Sequence, residues 1–591
     1  MLSGRPAAKQ GRRAVRQRRA ATTPAANCRQ NGTVGAQTAL ALLLAAVGAI
    51  VVMNWVSDRT GLPSAGLLTL VGIGYGLLPG PNVGLRPDIV MTCILPPLLY
   101  NAALESSLVG IRRNLRTVIS LSVILVLLTA ASVGAAFALL VTGATLAAGA
   151  VLGAAVAPTD PVAALAVARK VGLPLNIVTL IEGEGLLNDA TALTTLSVAI
   201  TVARGADFSF PFAIREFALA AVGGLAIGLV FAWCRRLLRR VPHDVMTANA
   251  ISLATPFLAY LAAEKVHASG VLAVVVCGLV VGHDSPRSES GASRLQTRAV
   301  WRLANFLLEG LVFLLIGQQF PAILDGLRGY PVSTIVVATT VTTAAVLLVR
   351  PLWLMLTQSL PRSLHTRLGN VTGTADDDDD HDEPAQAPPR RDRNAERLSG
   401  REIFVLSWAG TRGVVSLAAI FAVPFATDSG ARFPVRDLLL FCTLVVVLVT
   451  LIGQGSTFGP VVCALGVHAK AVDEVRLRNR ARTAAVRAAL ETLDELGHKS
   501  EADARAIDVV RRQLRARLER YQRRLDLLSD SDDVPNYPEY EAAVAIRRVA
   551  IDAERDELVR WRDAGMLPDR SLRVLERELD HEEVTLPTTR L

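Results

Sequence analysis

The chain has 591 residues, of which 51% are hydrophobic and 19% charged, and its formal net charge is +9. Soluble domains average about 25% charged residues, and a soluble chain of this length would divide into roughly four domains with polar surfaces. This composition excludes a soluble enzyme, a secreted disulfide scaffold and a disordered protein as descriptions of the whole chain. The apolar residues are mainly Ala, Leu, Val and Gly, which is typical of closely packed membrane helices.

The chain begins with a basic segment, residues 1–35, that contains several Arg residues and no Asp or Glu. We predict a disordered tail. A signal peptide fits poorly, because the charged region is too long and the apolar run after it is long enough to span a bilayer. The basic charge of this tail favours the cytoplasmic side, whereas the loops between the later helices predict an N-terminus outside. Three explanations of this conflict stay open: a cytoplasmic extension with one helix miscounted, a tail whose effect on orientation the later loops overrule, and a true start site further downstream.

A transmembrane domain is predicted over residues 36–467, because apolar runs of about 20 residues recur throughout it. Thirteen runs qualify as membrane-spanning helices. Their predicted bounds are 38–56, 63–80, 87–104, 118–141, 145–168, 177–202, 217–234, 247–263, 269–283, 303–320, 334–357, 402–426 and 437–464.

The loops between these runs predict the orientation of the chain in the membrane. Loops after odd-numbered helices carry roughly 20 Lys and Arg residues against 7 after even-numbered helices, and the richer side is expected to be cytoplasmic. A cytoplasmic disordered loop is predicted over 358–400, which contains a run of five Asp residues followed by Pro and Arg. Residues 468–591 alternate charged and apolar side chains with helical periodicity, which predicts a cytoplasmic helical region, with regulation as its candidate role.

The fifth predicted helix contains the sequence Pro158-Thr159-Asp160-Pro161. Each proline lacks an N–H group and disrupts the helix, and irregular backbone inside a membrane is tolerated where it is buried in protein or lines a cavity. Two prolines around Thr and Asp therefore predict an unwound crossing point with free carbonyl groups, which favours an ion site. A simple kink, with Asp160 capping the second half of the helix, is the alternative.

The sixth predicted helix holds three acids within eight residues, Glu182, Glu184 and Asp189, with Asn188 beside the last of them. Ionisable side chains inside a membrane are energetically expensive and therefore mark functional sites. Burial disfavours the charged form of a carboxyl, so Asp189 could hold a proton at one moment and a hard cation at another. Glu184 and Asn188 share the neighbouring helix face, and Glu184 has the pattern of a structural ion-pair member.

The twelfth predicted helix reads Gly410-Thr411-Arg412-Gly413 at its centre. Arg412 is always charged and needs a partner, and the two glycines indicate a second broken helix. If the seventh helix is a linker, helices 1–6 and 8–13 form two six-helix units of opposite topology with breaks at equivalent positions. The predicted fold is an all-α polytopic membrane protein with about 13 transmembrane helices in two inverted six-helix repeats, discontinuous crossing helices and a helical cytoplasmic C-terminal region.

These three motifs, in this order, resemble the monovalent cation:proton antiporter-1 family of sodium/proton exchangers. The resemblance covers residues 38–465, and two further segments, 95–100 and 309–317, are similar to the family as well. It implies that Asp189 is the shared proton and cation carboxylate, with Na⁺ bound at Asp189 and Thr159. It also implies that Asn188 and Asp160 brace the unwound region.

The resemblance further implies that Glu184 and Arg412 form a structural ion pair. Many family members carry an acid at Asn101 and a Ser at Gly185, so this chain departs from the pattern at two positions near the ion. We expect Glu182, Asn101 or water to substitute for the missing oxygens.

The sequence thus predicts a secondary active Na⁺/H⁺ antiporter, electroneutral in its coupling, in the plasma membrane and working in pH and sodium homeostasis. The resemblance also leads us to expect a homodimer in contact with lipids, no cofactor and no nucleic-acid partner. A K⁺/H⁺ antiporter is the main alternative. A cation channel, a membrane sensor and an intramembrane aspartyl protease built on Asp160 and Asp189 are weaker ones.

Overall fold

The computed structural model describes residues 36–79, 89–205, 209–238, 244–288, 291–359, 398–428, 430–468, 471–499, 504–529, 538–564 and 566–586. The predicted basic tail, 1–35, lies outside the described residues. Most of the predicted loop 358–400 also lies outside them.

The first half of the membrane domain consists of apolar helices joined by short connections. They are α1 (Ala36–Thr60), α2 (Ser64–Leu77), α3 (Val90–Glu105), α4 (Leu108–Arg113), α5 (Leu115–Leu140), α6 (Leu146–Val156), α7 (Val162–Val171) and α8 (Leu175–Arg204). Side-chain caps begin two of these helices. Ser107 accepts a hydrogen bond from Gly110 N at the start of α4, and Thr145 accepts one from Ala148 N at the start of α6.

The second half continues in the same manner. Its helices are α9 (Phe210–Leu238), α10 (Val245–Lys265), α11 (Gly270–Ser288), α12 (Gly291–Gln318), α13 (Phe320–Gly326), α14 (Val332–Ser359), α15 (Gly400–Trp408), α16 (Val414–Phe421) and α17 (Arg436–Leu465). A capping box starts α15, because Ser399 and Glu402 each hydrogen-bond the other's backbone N–H group.

Eight helices of the described part of the chain are long and apolar enough to cross a membrane, and four shorter apolar helices accompany them. Each of the thirteen predicted spans falls on one of the observed helices or, at 145–168 and 402–426, on a pair of them. Among the described residues there is no β-strand, only an isolated bridge between Ala426 and Arg432. The all-helical membrane character predicted from the composition is therefore confirmed.

Four helices follow the membrane domain, namely α18 (Ala471–Lys499), α19 (Ala504–Ser529), α20 (Pro538–Asp563) and α21 (Asp569–Thr585). Helix α18 packs against α19, and α20 against α21. Ion pairs join α20 to α21: Arg547 Nε lies 2.8 Å from Glu582 Oε1, and Arg555 Nη2 lies 2.9 Å from Glu583 Oε2. Apolar side chains of these helices are buried: Val486 of α18, Val544 and Ile551 of α20, and Leu572 and Leu579 of α21.

Candidate ion-binding site

Two helices of the membrane domain are broken. Helix α6 ends at Val156 and α7 begins at Val162, so residues 157–161 between them are not helical. Helix α15 ends at Trp408 and α16 begins at Val414. Irregular backbone at this depth requires partners for its free N–H and C=O groups.

The two irregular segments supply those partners to each other. The Asp160 N–H donates to the Thr411 carbonyl at 2.7 Å, and the Thr411 hydroxyl donates to the Asp160 carbonyl at 2.6 Å. The Asp160 carboxylate also accepts a hydrogen bond from Val162 N at 3.0 Å, which caps the start of α7. The chain therefore crosses itself at Asp160 and Thr411, with backbone groups paired across the crossing.

Gly413 makes this close approach possible. A Cβ atom at this position would lie 2.5 Å from the Asp160 Cγ, which real Cβ atoms essentially never do. Gly185 on α8 has a similar role, because a Cβ there would lie 2.5 Å from Cγ of Pro161. The structure thus explains one departure from the family pattern, since a Ser at Gly185 would collide with the proline ring.

Arg412 lies at the ends of two half-helices and is 2% exposed. Its Nε donates to the Val156 carbonyl at 2.9 Å, its Nη1 donates to the Gly410 carbonyl, and its backbone N–H donates to Thr450 Oγ1 at 3.0 Å. The Val156 carbonyl is at the C-terminal end of α6, and the Gly410 carbonyl follows the C-terminal end of α15 by two residues. Helix C-terminal ends carry partial negative charge. The guanidinium therefore neutralises two converging helix dipoles.

The predicted ion pair between Glu184 and Arg412 is wrong, because Glu184 has a different arginine as its partner. Glu184 pairs with Arg350 of α14: Nη2 lies 2.8 Å from Oε2, and Nη1 contacts Oε1. Arg350 Nε also donates to the Leu406 carbonyl at 3.0 Å, which ties α14 to α15. The bidentate fork satisfies both carboxylate oxygens of a fully buried group, as an isolated charge in this position requires.

Thr159 connects this ion pair to Asn188. The Thr159 hydroxyl donates to Glu184 Oε1 at 2.9 Å and accepts from Asn188 Nδ2 at 2.8 Å. Asn188 Nδ2 also donates to the Thr159 carbonyl at 2.9 Å. Since a hydroxyl has one donor and two acceptor lone pairs, one lone pair of Thr159 remains free. The buried Asn188 Oδ1 has no hydrogen-bond partner among the described residues.

A cavity of about 410 Å³ opens beside the crossing. The predicted site residues that line it are Thr159, Asp160, Asp189, Asn101 and Glu182. Asp189 is 4% exposed and Asn101 is 6% exposed, so both lie well inside the protein. The structure therefore brings the predicted site residues together at one cavity, except that Glu184, Asn188 and Arg412 support its wall from behind.

The cavity extends from the buried Asp189 to exposed side chains of the membrane domain. Its lining includes Glu105 and Ser106 at the end of α3 and the exposed Arg302 of α12. A small ion could therefore reach Asp189 through this cavity.

Sequence reasoning missed Arg350 and gave Glu309 no role. Both lie in apolar helices, and an ionisable residue in such a helix is itself a signal. Arg350 stands in a helix of 28 residues, Val332–Ser359, that contains no other charged residue. The rule that selected Asp189 and Arg412 would have found it.

A polytopic helical membrane protein in which two broken helices cross beside a buried carboxylate has the architecture of an ion transporter. The chain belongs to the sodium/hydrogen exchanger family, since the transmembrane model of that family matches residues 42–464. It is therefore a secondary transporter, an antiporter rather than an enzyme, and the protease and channel alternatives are set aside.

Relatives of known sequence support this assignment. An uncharacterised Na⁺/H⁺ exchanger of Mycobacterium tuberculosis is 33% identical over 564 residues, covering 94% of this chain and 97% of the relative. A sodium, potassium, lithium and rubidium/H⁺ antiporter of Bacillus subtilis is 27% identical, covering 87% of this chain and 74% of the relative.

The fold is also similar to a solved structure, the sodium proton antiporter MjNhaP1 from Methanocaldococcus jannaschii. The TM-score is 0.55 at 18% identity, and the match covers 73% of this chain and 99% of the other.

Proposed function

We propose that the protein exchanges Na⁺ for H⁺ by alternating access, with Asp189 binding either the proton or the cation. The observation that carries the proposal is the position of Asp189, which is 4% exposed, lines the cavity and neighbours the broken-helix crossing. A buried carboxylate that a small ion can reach through a cavity is suited to binding the two ions in turn.

Oxygen atoms near Asp189 would complete the cation site. Thr159 lines the same cavity and keeps one free lone pair, so Na⁺ would lie between Asp189 and Thr159. Asn188 and Asp160 would hold the unwound segment in place, as their hydrogen bonds indicate. Asn101 and Glu182 would serve as accessory groups, because both line the cavity.

Competition for a single carboxylate couples the two fluxes without further machinery. When Na⁺ binds, the proton must leave, and only the loaded site would then move between the two membrane faces. One carboxylate that carries either one proton or one monovalent cation predicts electroneutral exchange. In the cell this activity would serve pH and sodium homeostasis.

The orientation of the chain also belongs to this proposal. The exposed Glu105 and Arg302 line the cavity and lie next to loops whose Lys and Arg content predicts the cytoplasmic side. The protein would then be in an inward-open state in the plasma membrane, with helices α18–α21 in the cytoplasm. The breaks at 157–161 and 409–413 favour the arrangement of about 13 helices in two inverted six-helix repeats.

Cation preference and assembly extend the proposal. The Bacillus subtilis relative is named for sodium, potassium, lithium and rubidium, so K⁺/H⁺ exchange is the second candidate. We expect a homodimer surrounded by lipids. We also expect no cofactor and no nucleic-acid partner.

Vesicles that contain the full chain and a pH-sensitive dye test the proposed function. Adding Na⁺, Li⁺ or K⁺ in turn to acid-loaded vesicles is expected to restore the dye signal. We expect Na⁺ and Li⁺ to act at lower concentrations than K⁺. A response to K⁺ alone would replace Na⁺/H⁺ exchange by K⁺/H⁺ exchange. No response to any of the three cations, from vesicles shown to contain folded protein, would contradict the proposal.

Thr159→Val is expected to raise the half-saturating Na⁺ concentration by about tenfold, since one lost oxygen ligand or hydrogen bond amounts to roughly 1 kcal/mol or more. Valine has nearly the same shape but provides neither the hydroxyl lone pair nor the hydrogen bond to Glu184. Thr159→Ser keeps the hydroxyl and is the matched control. Equal half-saturation in both variants and the wild type, measured in the same vesicle assay, would exclude Thr159 as a ligand.

A further inference from the structure

A second cavity of about 250 Å³ lies on the other side of α7. Its lining comes from the connection between α1 and α2, from α7 itself and from α17, and includes Ser57, Pro63 and Pro460. Within the described part of the chain, Asp160 and Glu309 are the charged residues that line both this cavity and the larger one. The two cavities therefore converge on a pair of carboxylates.

Glu309 lies on α12, outside the group of residues assigned to the ion site above. It is partly buried, and it lines both cavities together with Asp160. Among the described residues no ion pair or hydrogen bond joins Glu309 to a basic side chain, in contrast to Glu184 with its arginine. An acid in this position needs a proton or a cation to offset its charge.

Two neutral oxygen atoms of the cavity that Glu309 lines also lack partners among the described residues. Asn305 precedes Glu309 by one helical turn, and Ser416 lies on the first turn of α16 and is 1% exposed. Both line the larger cavity with Glu309. The Oδ1 atom of Asn305 and the Oγ atom of Ser416 are buried and have no hydrogen-bond partner among the described residues. Buried polar atoms are almost always paired, so these two indicate a group that binds there.

We propose that Glu309, Asn305 and Ser416 form a second site that holds a proton or a monovalent cation before its transfer to Asp189. A carboxylate and two neutral oxygens are the donor set that hard cations prefer. The inference rests on the proposed antiport function and adds a step to it. The site would concentrate cations at the point where the cavities meet and feed the deeper carboxylate.

Several charged groups face the same space and share in the titration of this site. Those that line the larger cavity are Asp160 between α6 and α7, Glu182 and Asp189 on α8, Glu105 on α3, and Arg302 on α12. Most of them are acidic, so removing Glu309 changes both the attraction of cations and the pH at which the cavity loads.

Glu309→Gln in proteoliposomes of the full chain tests the site. We expect exchange to persist at saturating Na⁺, with the half-saturating concentration raised about tenfold and the pH optimum shifted relative to the wild type. Glu309→Asp should restore most of both properties. Glu216→Gln is the matched control, because Glu216 is a partly buried acid on α9 that lines neither cavity.

The outcomes separate this site from the proposed function. Half-saturation and pH profile equal to those of Glu216→Gln would overturn the second site while leaving antiport intact. If Glu309→Gln is folded but inactive, or does not fold, Ser416→Ala and Asn305→Ala decide: raised half-saturating Na⁺ supports the site and unchanged values overturn it. Absence of exchange in the wild type would instead contradict the proposed function itself.

Discussion

Arg350→Gln is expected to destabilise the membrane domain by about 3–5 kcal/mol, the usual effect of removing one member of a buried ion pair. The substitution leaves Glu184 charged and buried without its bidentate partner, and it removes the hydrogen bond to the Leu406 carbonyl that ties α14 to α15. The thermal unfolding of the purified protein in detergent measures this loss as a lower midpoint.

A double variant separates the ion pair from general damage. Glu184→Gln combined with Arg350→Gln should be more stable than Arg350→Gln alone, because the unpaired charge is gone. The matched comparison is Arg412→Gln, because the side chain of Arg412 donates its hydrogen bonds to carbonyl groups and not to Glu184. Adding Glu184→Gln should therefore raise the unfolding midpoint of Arg350→Gln but not that of Arg412→Gln. The reverse result would contradict the pairing of Glu184 with Arg350.

Gly413→Ala is expected to reduce exchange to about a fifth of the wild-type rate or less. The added Cβ would overlap the Asp160 carboxylate, and overpacking of this kind costs about 1–3 kcal/mol, which corresponds to about 5-fold to 150-fold in the population of the intact crossing. The crossing must shift, and the backbone pairing of Asp160 with Thr411 is the contact at risk. The vesicle assay with the pH-sensitive dye measures the rate.

Gly48→Ala is the control for this substitution. Gly48 lies in α1, and a Cβ there would meet nothing within 4 Å, so exchange should stay at the wild-type level. Size-exclusion chromatography confirms that both variants are folded. Wild-type exchange in folded Gly413→Ala would show that the crossing tolerates displacement and does not position the site.

The breaks in the two helices were predictable because their causes are local. Pro158 and Pro161 remove two N–H groups within four residues. Gly410 and Gly413 flank Arg412, and glycine lowers helix propensity through its conformational freedom. The importance of Asp189 was also predictable, since an acid deep in an apolar helix is expensive unless it has a function. Composition alone determined the all-helical membrane character.

The partner of Glu184 was not predictable, because it depends on which helix approaches α8. Arg350 and Arg412 are both single arginines in apolar surroundings, and nothing in their local sequence states which one is near a carboxylate. The fold places Arg412 at two helix ends, where carbonyl groups satisfy it, and Arg350 beside Glu184. Contacts between residues far apart in the chain decide this, so only the structure could correct the prediction.

The convergence of the two cavities was also beyond the reach of the sequence. Glu309 stands 149 residues after Asp160 in the chain, and a cavity is formed by spaces between helices rather than by any one of them. The absence of a Ser at Gly185 was visible in the sequence, but its reason, the Pro161 ring against α8, was not.

The central claim is that one carboxylate, Asp189, carries both ions, and Asp189→Asn tests it most directly. Asparagine keeps the size of the side chain but can neither release a proton nor provide a negative charge. Proteoliposomes of folded Asp189→Asn should show no Na⁺-dependent recovery of pH, while wild-type proteoliposomes prepared in parallel recover. Exchange retained in Asp189→Asn at a rate near that of the wild type would contradict the mechanism.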